Sequence, residues 1–204
     1  MAEPTTEILT AQSPLQHKAQ DFLAASSDRI LLAEIPNLTQ LNLRGDGNDK
    51  AFLAGTKKAI GIALPTKPNS VAEKGDIAAL WLGPDEWLIV SKETESHRLI
   101  STLKVMLSDV VFTVVDVSDN RTVLSLSGAD SWAVLNKGAM LDFHPRHWHK
   151  GQCASSLYGR CQVIFWQRSK QPEFYLFVRS SFADYCASYI LDAMREFIST
   201  DEQA

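Results

Sequence analysis

The sequence has few cysteines, and their spacing is not that of a metal or redox site. Cys153, Cys161 and Cys186 are an odd number of thiols and include no Cys-x-x-Cys pair. Such a set argues against a disulfide framework and fits a reducing compartment. We therefore expect small, buried, reduced thiols and a cytoplasmic location.

Long apolar runs and excess basic charge are also missing. No apolar run approaches the ~18 residues of a membrane-spanning helix, and residues 1–12 lack the basic and apolar regions of a secretory signal. A formal net charge of −4 argues against nucleic acid as the main partner. We expect neither a nucleic-acid nor a membrane partner.

No glycine-rich phosphate loop follows a predicted strand. Gly45-Asp46-Gly47 lacks both a third glycine and a helix at the required distance, so we expect no self-contained nucleotide site. What is present is ordinary globular composition, with 45% hydrophobic and 22% charged residues in 204. We expect a disordered lead over residues 1–12 and a single domain over 13–204, with two subdomains meeting near 108–120 as the alternative division.

One short pattern occurs twice. Residues 82–87 and 127–132 share the spacing Gly-x-Asp-x-Trp after an apolar run. The first copy joins two apolar runs through Gly-Pro-Asp-Glu, which predicts a β-hairpin of residues 76–82 and 87–90. The second runs into helical spacing over 130–137 and Gly138, which predicts a strand followed by a helix that Gly138 ends as its C′ residue.

The rest of the chain alternates strands and helices, with several tight turns between strands. This order favours an α+β fold with antiparallel or mixed sheets and flanking helices over a doubly wound parallel sheet. The further predicted strands are 38–43, 111–117 paired with 121–126, 155–158 paired with 162–166, and 173–178. The further predicted helices are 49–60, 94–107, and one that a capping box at 181–184 opens and that runs to about 198 with Phe182 on its apolar face.

The one histidine cluster lies in residues 142–149. His147 and His149 have the spacing to chelate a metal from one face of a strand, but no His-Glu-x-x-His pattern, cysteine partner or carboxylate triad accompanies them. We favour a polar, partly exposed loop that packs against a partner. A metal site at the histidines and an anion site at residues 144–146 stay open as alternatives.

No nucleophile with a base is visible in the sequence. Asp116, Asp119, Asn120 and Arg121 lie between two predicted strands, where turn capping and an Asp–Arg pair explain them more simply than a catalytic carboxylate. The cysteines have no base or electropositive setting. We therefore predict no catalytic, cofactor-binding or metal-binding residue in the chain.

Five tryptophans are many for this length. They can pack in the core, stack on a pterin ring or anchor a protein interface, and we expect most in the core and at least one facing a partner. The residues predicted for a partner interface are Trp81, Trp87, His144, Arg146 and Trp148.

Residues 80–88, LWLGPDEWL, closely resemble the gamma subunit family of heterotetrameric, tetrahydrofolate-dependent sarcosine oxidase. Ala139 departs from the family where cysteine is expected, and the paired His147 and His149 are unusual for it. Further stretches that resemble the family, in order, are 13–15 (SPL), 40–45 (QLNLRG), 62–65, 115–128 (VDVSDNRTVLSLSG), 137–138, 142–146 (DFHPR) and 179–185 (RSSFADY).

The resemblance implies both a reaction and an assembly. Such a complex oxidatively demethylates sarcosine to glycine and hydrogen peroxide and passes the one-carbon unit to tetrahydrofolate as 5,10-methylenetetrahydrofolate. FAD, FMN and NAD are expected in the alpha and beta subunits. The gamma subunit is expected to pack on alpha, beside beta and delta, without a prosthetic group or a catalytic role.

The resemblance also implies a fold, similar to the folate-binding aminomethyltransferase domain of the glycine-cleavage T-protein. Two other functions therefore stay open. One is a folate-binding or aminomethyl-transferring module acting on its own, with Asp116 or Asp142 as the carboxylate near the pterin. The other is a free-standing adaptor for a different partner.

Overall fold

The computed structural model describes residues 12–92 and 96–198, and this part contains ten strands and five α-helices. The strands are β1 (Leu31–Ile35), β2 (Thr39–Gly45), β3 (Val71–Lys74), β4 (Ile77–Gly83), β5 (Glu86–Ser91), β6 (Phe112–Asp116), β7 (Arg121–Ser127), β8 (Cys153–Tyr158), β9 (Cys161–Ser169) and β10 (Glu173–Arg179). The helices are α1 (Ala19–Ala25), α2 (Lys50–Ile60), α3 (Ser96–Met106), α4 (Ser131–Asn136) and α5 (Ala183–Met194). The lead predicted for residues 1–12 lies outside the described residues except for Gln12.

The strands form two five-stranded sheets. Sheet 1 has the order β1-β7-β10-β9-β8 and sheet 2 the order β3-β4-β5-β2-β6. Every neighbouring pair is antiparallel. The predicted α+β class with antiparallel sheets is confirmed.

Side chains alternate between the two faces of each strand, and the chain forms four layers: helices, sheet 1, sheet 2 and helices. Leu124 and Leu176 of sheet 1 lie in one buried cluster with residues of α1, α4 and α5. The next residues along the same strands, such as Val123 and Phe177, lie in a second cluster with Leu88 of sheet 2. The far face of sheet 2 packs against α2 and α3 in a third. Successive strand residues point to opposite faces, so each sheet is covered by helices on one side and by the other sheet on its inner side.

The first Gly-x-Asp-x-Trp segment forms the predicted hairpin. β4 and β5 pair with Trp81 opposite Trp87, and an irregularity lies between Trp81 and Gly83. The second segment leads from β7 into α4, which confirms the predicted strand-to-helix passage. Gly138 does not end α4 as a left-handed residue; a Cβ there would approach the rings of Tyr158 and Tyr189 within 3 Å, so close packing explains the glycine.

The predicted pairing of residues 111–117 with 121–126 is wrong. Both segments are strands, but β6 pairs with β2 in sheet 2, whereas β7 lies between β1 and β10 in sheet 1. The turn at 118–120 carries the chain from one sheet to the other instead of closing a hairpin. This crossing lies within the range 108–120 where two subdomains were expected to meet; the division into subdomains stays a prediction.

The capping box predicted at residues 181–184 is also wrong. A 3-10 turn, Ser180–Phe182, precedes α5, and no side chain caps the first turn of α5. Asp184 instead lies 2.9 Å from Nε2 of His17 and 3.3 Å from Nζ of Lys18. Phe182 is 46% exposed because it lies in the 3-10 turn and not on the buried face of α5.

Candidate functional site between the two sheets

The inner faces of the two sheets enclose an apolar middle with a pocket at each end. Buried side chains of both sheets fill the middle, among them Leu80, Leu88, Val123, Ile164 and Phe177. Arginines with different surroundings lie at the two openings. We call the opening beside Arg121 and Arg179 the cationic mouth. The one beside Arg168, a pocket of about 220 Å³, we call the paired end because its arginine has partners within the fold.

The cationic mouth is a pocket of about 320 Å³. Arg121 and Arg179 line it and lie directly opposite each other across β7 and β10. Like charges in this cross-strand position repel each other. Neither guanidinium has an ion pair or hydrogen bond to any side chain within residues 12–92 and 96–198. The rest of the lining is Leu82, Glu86, Ser155, Gln162, Ile164 and Phe177.

Glu86 faces the two arginines from sheet 2, but its carboxylate is already engaged. It accepts hydrogen bonds of 2.7 Å from Nδ2 of Asn42 and 2.6 Å from Nη2 of Arg44. Burial opposes ionisation of Glu86, and these hydrogen bonds outweigh it, so its pKa lies below the usual value. Burial and the neighbouring Arg179 lower the pKa of Arg121, and Glu86 offsets this only in part. The mouth therefore retains uncompensated positive charge.

At the paired end, the corresponding arginine is fully partnered. Arg168 Nε lies 3.0 Å from Oε1 of Glu73, and its Nη1 donates a 2.6 Å hydrogen bond to the hydroxyl of Tyr175. Its guanidinium also lies over the rings of Trp166 and Tyr175, at 5.7 and 5.1 Å from their centroids. Burial opposes the charge of Arg168, but Glu73 and Tyr175 outweigh it and raise the pKa. This arginine serves the packing between the sheets.

The histidine segment forms a compact turn after α4. The carbonyl of His144 accepts hydrogen bonds of 2.8 and 3.0 Å from the amides of His147 and Trp148. Asp142 accepts a 2.8 Å bond from the amide of His144. His144, Arg146, His147 and His149 are exposed, as predicted for a polar loop. In the described ranges no group of three or more His, Cys, Asp or Glu side chains is arranged to hold a metal ion, and no helix is long and apolar enough to cross a membrane.

The structure separates the residues predicted for a partner interface. Trp87 is fully buried beneath α2, with its ring 5.7 Å from that of Phe52 and its indole N–H donated to the carbonyl of Pro65 at 2.8 Å. Trp148 is buried against Phe143, with ring centroids 4.6 Å apart. The prediction that Trp87 and Trp148 face a partner is therefore wrong, because a side chain enclosed in the core offers no surface to a partner. Trp81 is half-buried, and for it, as for His144 and Arg146, partner contact stays a prediction.

The remaining candidates for chemistry have structural roles. Asp116 accepts hydrogen bonds from the amide and hydroxyl of Ser118 at 3.0 and 2.5 Å. Burial opposes its ionisation, and the bonds from Ser118 outweigh it and lower the pKa. The turn capping expected there is confirmed, whereas the expected Asp–Arg pair is absent among the described residues because Arg121 turns into the cationic mouth.

All three cysteines are buried and free, as predicted. Burial raises the pKa of Cys153 to about 12, and its thiol donates to backbone carbonyls of Ser70 and Trp81. The hydrogen bond with Cys161 and burial raise the pKa of Cys186. The same hydrogen bond with Cys186 lowers the pKa of Cys161, although burial opposes this. A thiol whose ionisation is disfavoured is a poor nucleophile, so Cys153 and Cys186 act in packing. Cys161 is buried as well, and its thiol donates to the carbonyl of Tyr158.

Comparison with known proteins identifies the family. The model of the sarcosine oxidase gamma subunit family matches residues 44–196. The sarcosine oxidase subunit gamma from Corynebacterium sp. (strain P-1) is 33% identical over 190 residues, which cover 92% of each chain. The chain belongs to the sarcosine oxidase gamma subunit family. Subunit gamma from an Arthrobacter species is 32% identical over 193 residues, again 92% of each chain. The resemblance read from residues 80–88 is confirmed.

Solved structures place this gamma-family chain among known folds. A chain of heterotetrameric sarcosine oxidase from Corynebacterium sp. U-96, determined with pyrrole 2-carboxylate, matches with a TM-score of 0.85 at 32% identity and covers 94% of this chain and 98% of that chain. The glycine-cleavage aminomethyltransferase T of Bartonella henselae matches with a TM-score of 0.62 at 13% identity, covering 88% and 52%. The second match is a likeness of fold alone. Sarcosine oxidase is an oxidoreductase complex, and this chain is similar to one of its subunits over nearly its whole length.

Sequence reasoning missed the pairing of Arg121 with Arg179. Arg121 begins one predicted strand and Arg179 directly follows another, and that was the available signal. The two arginines are side by side because β7 pairs with β10 in this register. Residues 121–126 were expected to pair with residues 111–117 instead.

Proposed function

We propose that this chain is the non-catalytic gamma subunit of a heterotetrameric sarcosine oxidase and packs against the alpha subunit. The observation that carries the proposal is the match, at nearly full length and a TM-score of 0.85, to a chain of the heterotetrameric enzyme of Corynebacterium sp. U-96. The complex would convert sarcosine to glycine, hydrogen peroxide and 5,10-methylenetetrahydrofolate. FAD, FMN, NAD and tetrahydrofolate would be bound by the partner subunits, including beta and delta as parts of the assembly.

Support for a structural role comes from how the reactive side chains are used. The cysteine thiols are buried, Asp116 holds a turn, and Asp142 caps the histidine segment. None of these pairs a nucleophile with a neighbouring base, which is the arrangement that covalent or general-base catalysis requires.

An apolar groove beside α1 is the surface that we assign to the alpha subunit. β1 is an edge strand of sheet 1, and Leu31 on it is 52% exposed. Leu23 of α1 is 72% exposed on the same groove, which has a volume of about 410 Å³. An exposed apolar groove beside an edge strand is a common place for a stable partner to dock.

Co-expression of this chain with the alpha, beta and delta subunits from its own source tests the proposal. A tag on this chain should recover all four subunits and sarcosine-dependent peroxide formation, whereas the chain alone should bind no flavin and oxidise no sarcosine. L23D with L31D should weaken recovery of alpha, while M140D, at a 75% exposed side chain on another face, should leave it unchanged. A folded chain that ignores alpha in this assay would refute the proposal.

One observation favours the second candidate, a folate-binding or aminomethyl-transferring module. Asp116 lines a polar pocket of about 590 Å³, large enough for a pterin. Titration calorimetry of the full chain with tetrahydrofolate tests it. Binding that D116N abolishes and D85N, at an exposed aspartate outside this pocket, retains would favour this candidate, and no heat would eliminate it.

A further inference from the structure

We infer that the cationic mouth is a binding site for a small organic carboxylate whose body is compact and apolar. The inference stands on the Arg121–Arg179 pair, on the charge balance around it and on a small apolar surface beside it. It does not depend on the proposed subunit role.

The first argument is the spacing of the two arginines. Residues directly opposite on antiparallel strands have Cβ atoms about 5 Å apart, so the guanidinium groups of Arg121 and Arg179 can converge on one anion. Arginine presents planar paired donors that match a carboxylate, and such charge-assisted bonds are about twice as strong as neutral ones. A carboxylate between them would also offset their mutual repulsion.

The second argument is that the protein does not neutralise this pair itself. Glu86 is the acidic side chain of the pocket, and Asn42 and Arg44 occupy its oxygens. Arg168 at the paired end shows the contrast, since Glu73 and Tyr175 satisfy it within the fold. The difference leaves donor capacity at the cationic mouth for a ligand.

The third argument concerns the body of the ligand. The exposed lining is mostly polar: Ser155 and Gln162 form one wall with a 3.1 Å hydrogen bond between their side chains. Leu82, with the edges of the deeply buried Ile164 and Phe177, adds a small apolar surface. The volume of about 320 Å³ is at the lower end of the range for small-molecule pockets. A small apolar surface beside two cations favours a carboxylate with a compact apolar body over a hydrated inorganic anion.

Titration calorimetry of the full-length chain at low ionic strength, with benzoate as the probe, tests the inference. Benzoate should bind, benzyl alcohol should not, and inorganic phosphate should bind more weakly than benzoate. R121Q and R179Q should each weaken benzoate binding by about tenfold or more. R195Q replaces an exposed arginine at the end of α5 and should leave the affinity unchanged.

A reversed effect separates binding from damage to the fold. E86Q removes the negative charge that faces the ligand and should strengthen benzoate binding several-fold, an outcome that loss of structure cannot produce. Unfolding curves of every variant provide the check that the chain is folded.

Three results would each overturn the inference. One is no benzoate binding by the wild-type chain. Another is phosphate binding as tight as benzoate binding and unaffected by R121Q, which would mean an adventitious ion only. The third is weaker subunit association in R121Q and R179Q without any benzoate binding, which would make the pair a partner contact.

Discussion

Residues 82–87 and 127–132 have the same spacing of glycine, aspartate and tryptophan. The residues that pack in the interior nevertheless differ between the two segments. In the first copy Trp87 is fully buried, whereas Asp85 is exposed and Gly83 has room for a side chain. In the second copy Gly128 has no such room and Asp130 is buried.

The tryptophan therefore contributes most to stability in the first copy, whereas the glycine and the aspartate contribute most in the second. Trp132 is only half-buried at the start of α4, while Asp130 holds Arg29 through two bonds of 2.6 and 2.7 Å. Gly128 has φ of +108° and packs against the backbone of Arg29. The comparison teaches that spacing identifies a turn, whereas the surroundings decide which residue stabilises it.

The largest difference is expected at the two tryptophans. W87A should lower the free energy of unfolding by about 4 kcal/mol, because it leaves a cavity beside Phe52 and an unpaired carbonyl at Pro65. Urea denaturation followed by circular dichroism measures the change. W132A is the matched variant and should cost about half as much or less, since part of that ring already meets solvent. Equal losses in the free energy of unfolding would mean that the two tryptophans stabilise the fold to the same extent, which would contradict the comparison.

The two glycines should show the opposite order. G128A should cost about 3 kcal/mol or more, because the new Cβ would overlap the carbonyl oxygen of Arg29 at a positive φ. G83A should change stability by less than about 1 kcal/mol, since the nearest atoms to its Cβ would be those of Glu86 and Asp85 at 3.6 and 3.7 Å. Thermal and urea unfolding of both variants give the ranking, and a costly G83A would break the comparison.

A smaller effect is expected at Asp130. D130N should lower stability by about 1 kcal/mol at neutral pH, because the bidentate pair with Arg29 becomes at most a neutral hydrogen bond. The hydrogen bond and charge of Arg29 hold the pKa of Asp130 below its usual value.

The pH dependence of that difference has a definite sign. The stabilisation is fully present above the unfolded-state pKa of about 3.9 and is lost as the pH falls through the lower folded-state pKa. The gap between wild type and D130N should thus be constant from pH 7 to 5 and narrow as the pH falls below about 4. If this difference in the free energy of unfolding widened in acid, or did not change at high salt, the Arg29–Asp130 ion pair would not be its cause.

The smallest effect is expected at Asp85. D85N should change the free energy of unfolding by no more than about 0.5 kcal/mol, because the carboxylate is exposed and its nearest cation, Nη1 of Arg44, is 4.0 Å away. Parallel urea titrations of D85N and D130N give the comparison directly. A cost at Asp85 as large as that at Asp130 would show that burial does not separate the two aspartates.

Much of the fold could be predicted because its signals are local. The turn at Gly-Pro-Asp-Glu predicted the β4–β5 hairpin, and helical spacing predicted α2 from its cap at Asp49, whose side chain accepts from the amide of Ala51 at 2.8 Å. The pairing of β6 and β7 failed because a polar turn between two apolar runs looks the same whether the chain closes a hairpin or crosses between sheets. The prediction of a capping box was wrong because the carboxylate of Asp184 contacts His17 and Lys18, which are far away in the sequence.

The candidate site was less predictable than the fold. The resemblance of residues 80–88 to the family did not tell which tryptophan is enclosed. Both Trp81 and Trp87 lie on the helix-covered side of the hairpin, and they differ only in how deeply they are buried. Arg121 was assigned an aspartate partner from its neighbours in the chain. In the fold its neighbour is Arg179, which no local pattern brings near it.

By itself, the sequence determined most secondary-structure elements, their antiparallel class and the family, because turn residues, periodicity and a dense set of motifs are properties of neighbouring residues. It did not predict α1, β1 and β3. Only the tertiary structure decided that β7 lies between β1 and β10, that Trp87 is enclosed, and that Arg121 and Arg179 share a pocket. The physical reason is that strand period specifies which face of a sheet a side chain takes, whereas its neighbours on that face depend on which distant strands pack together.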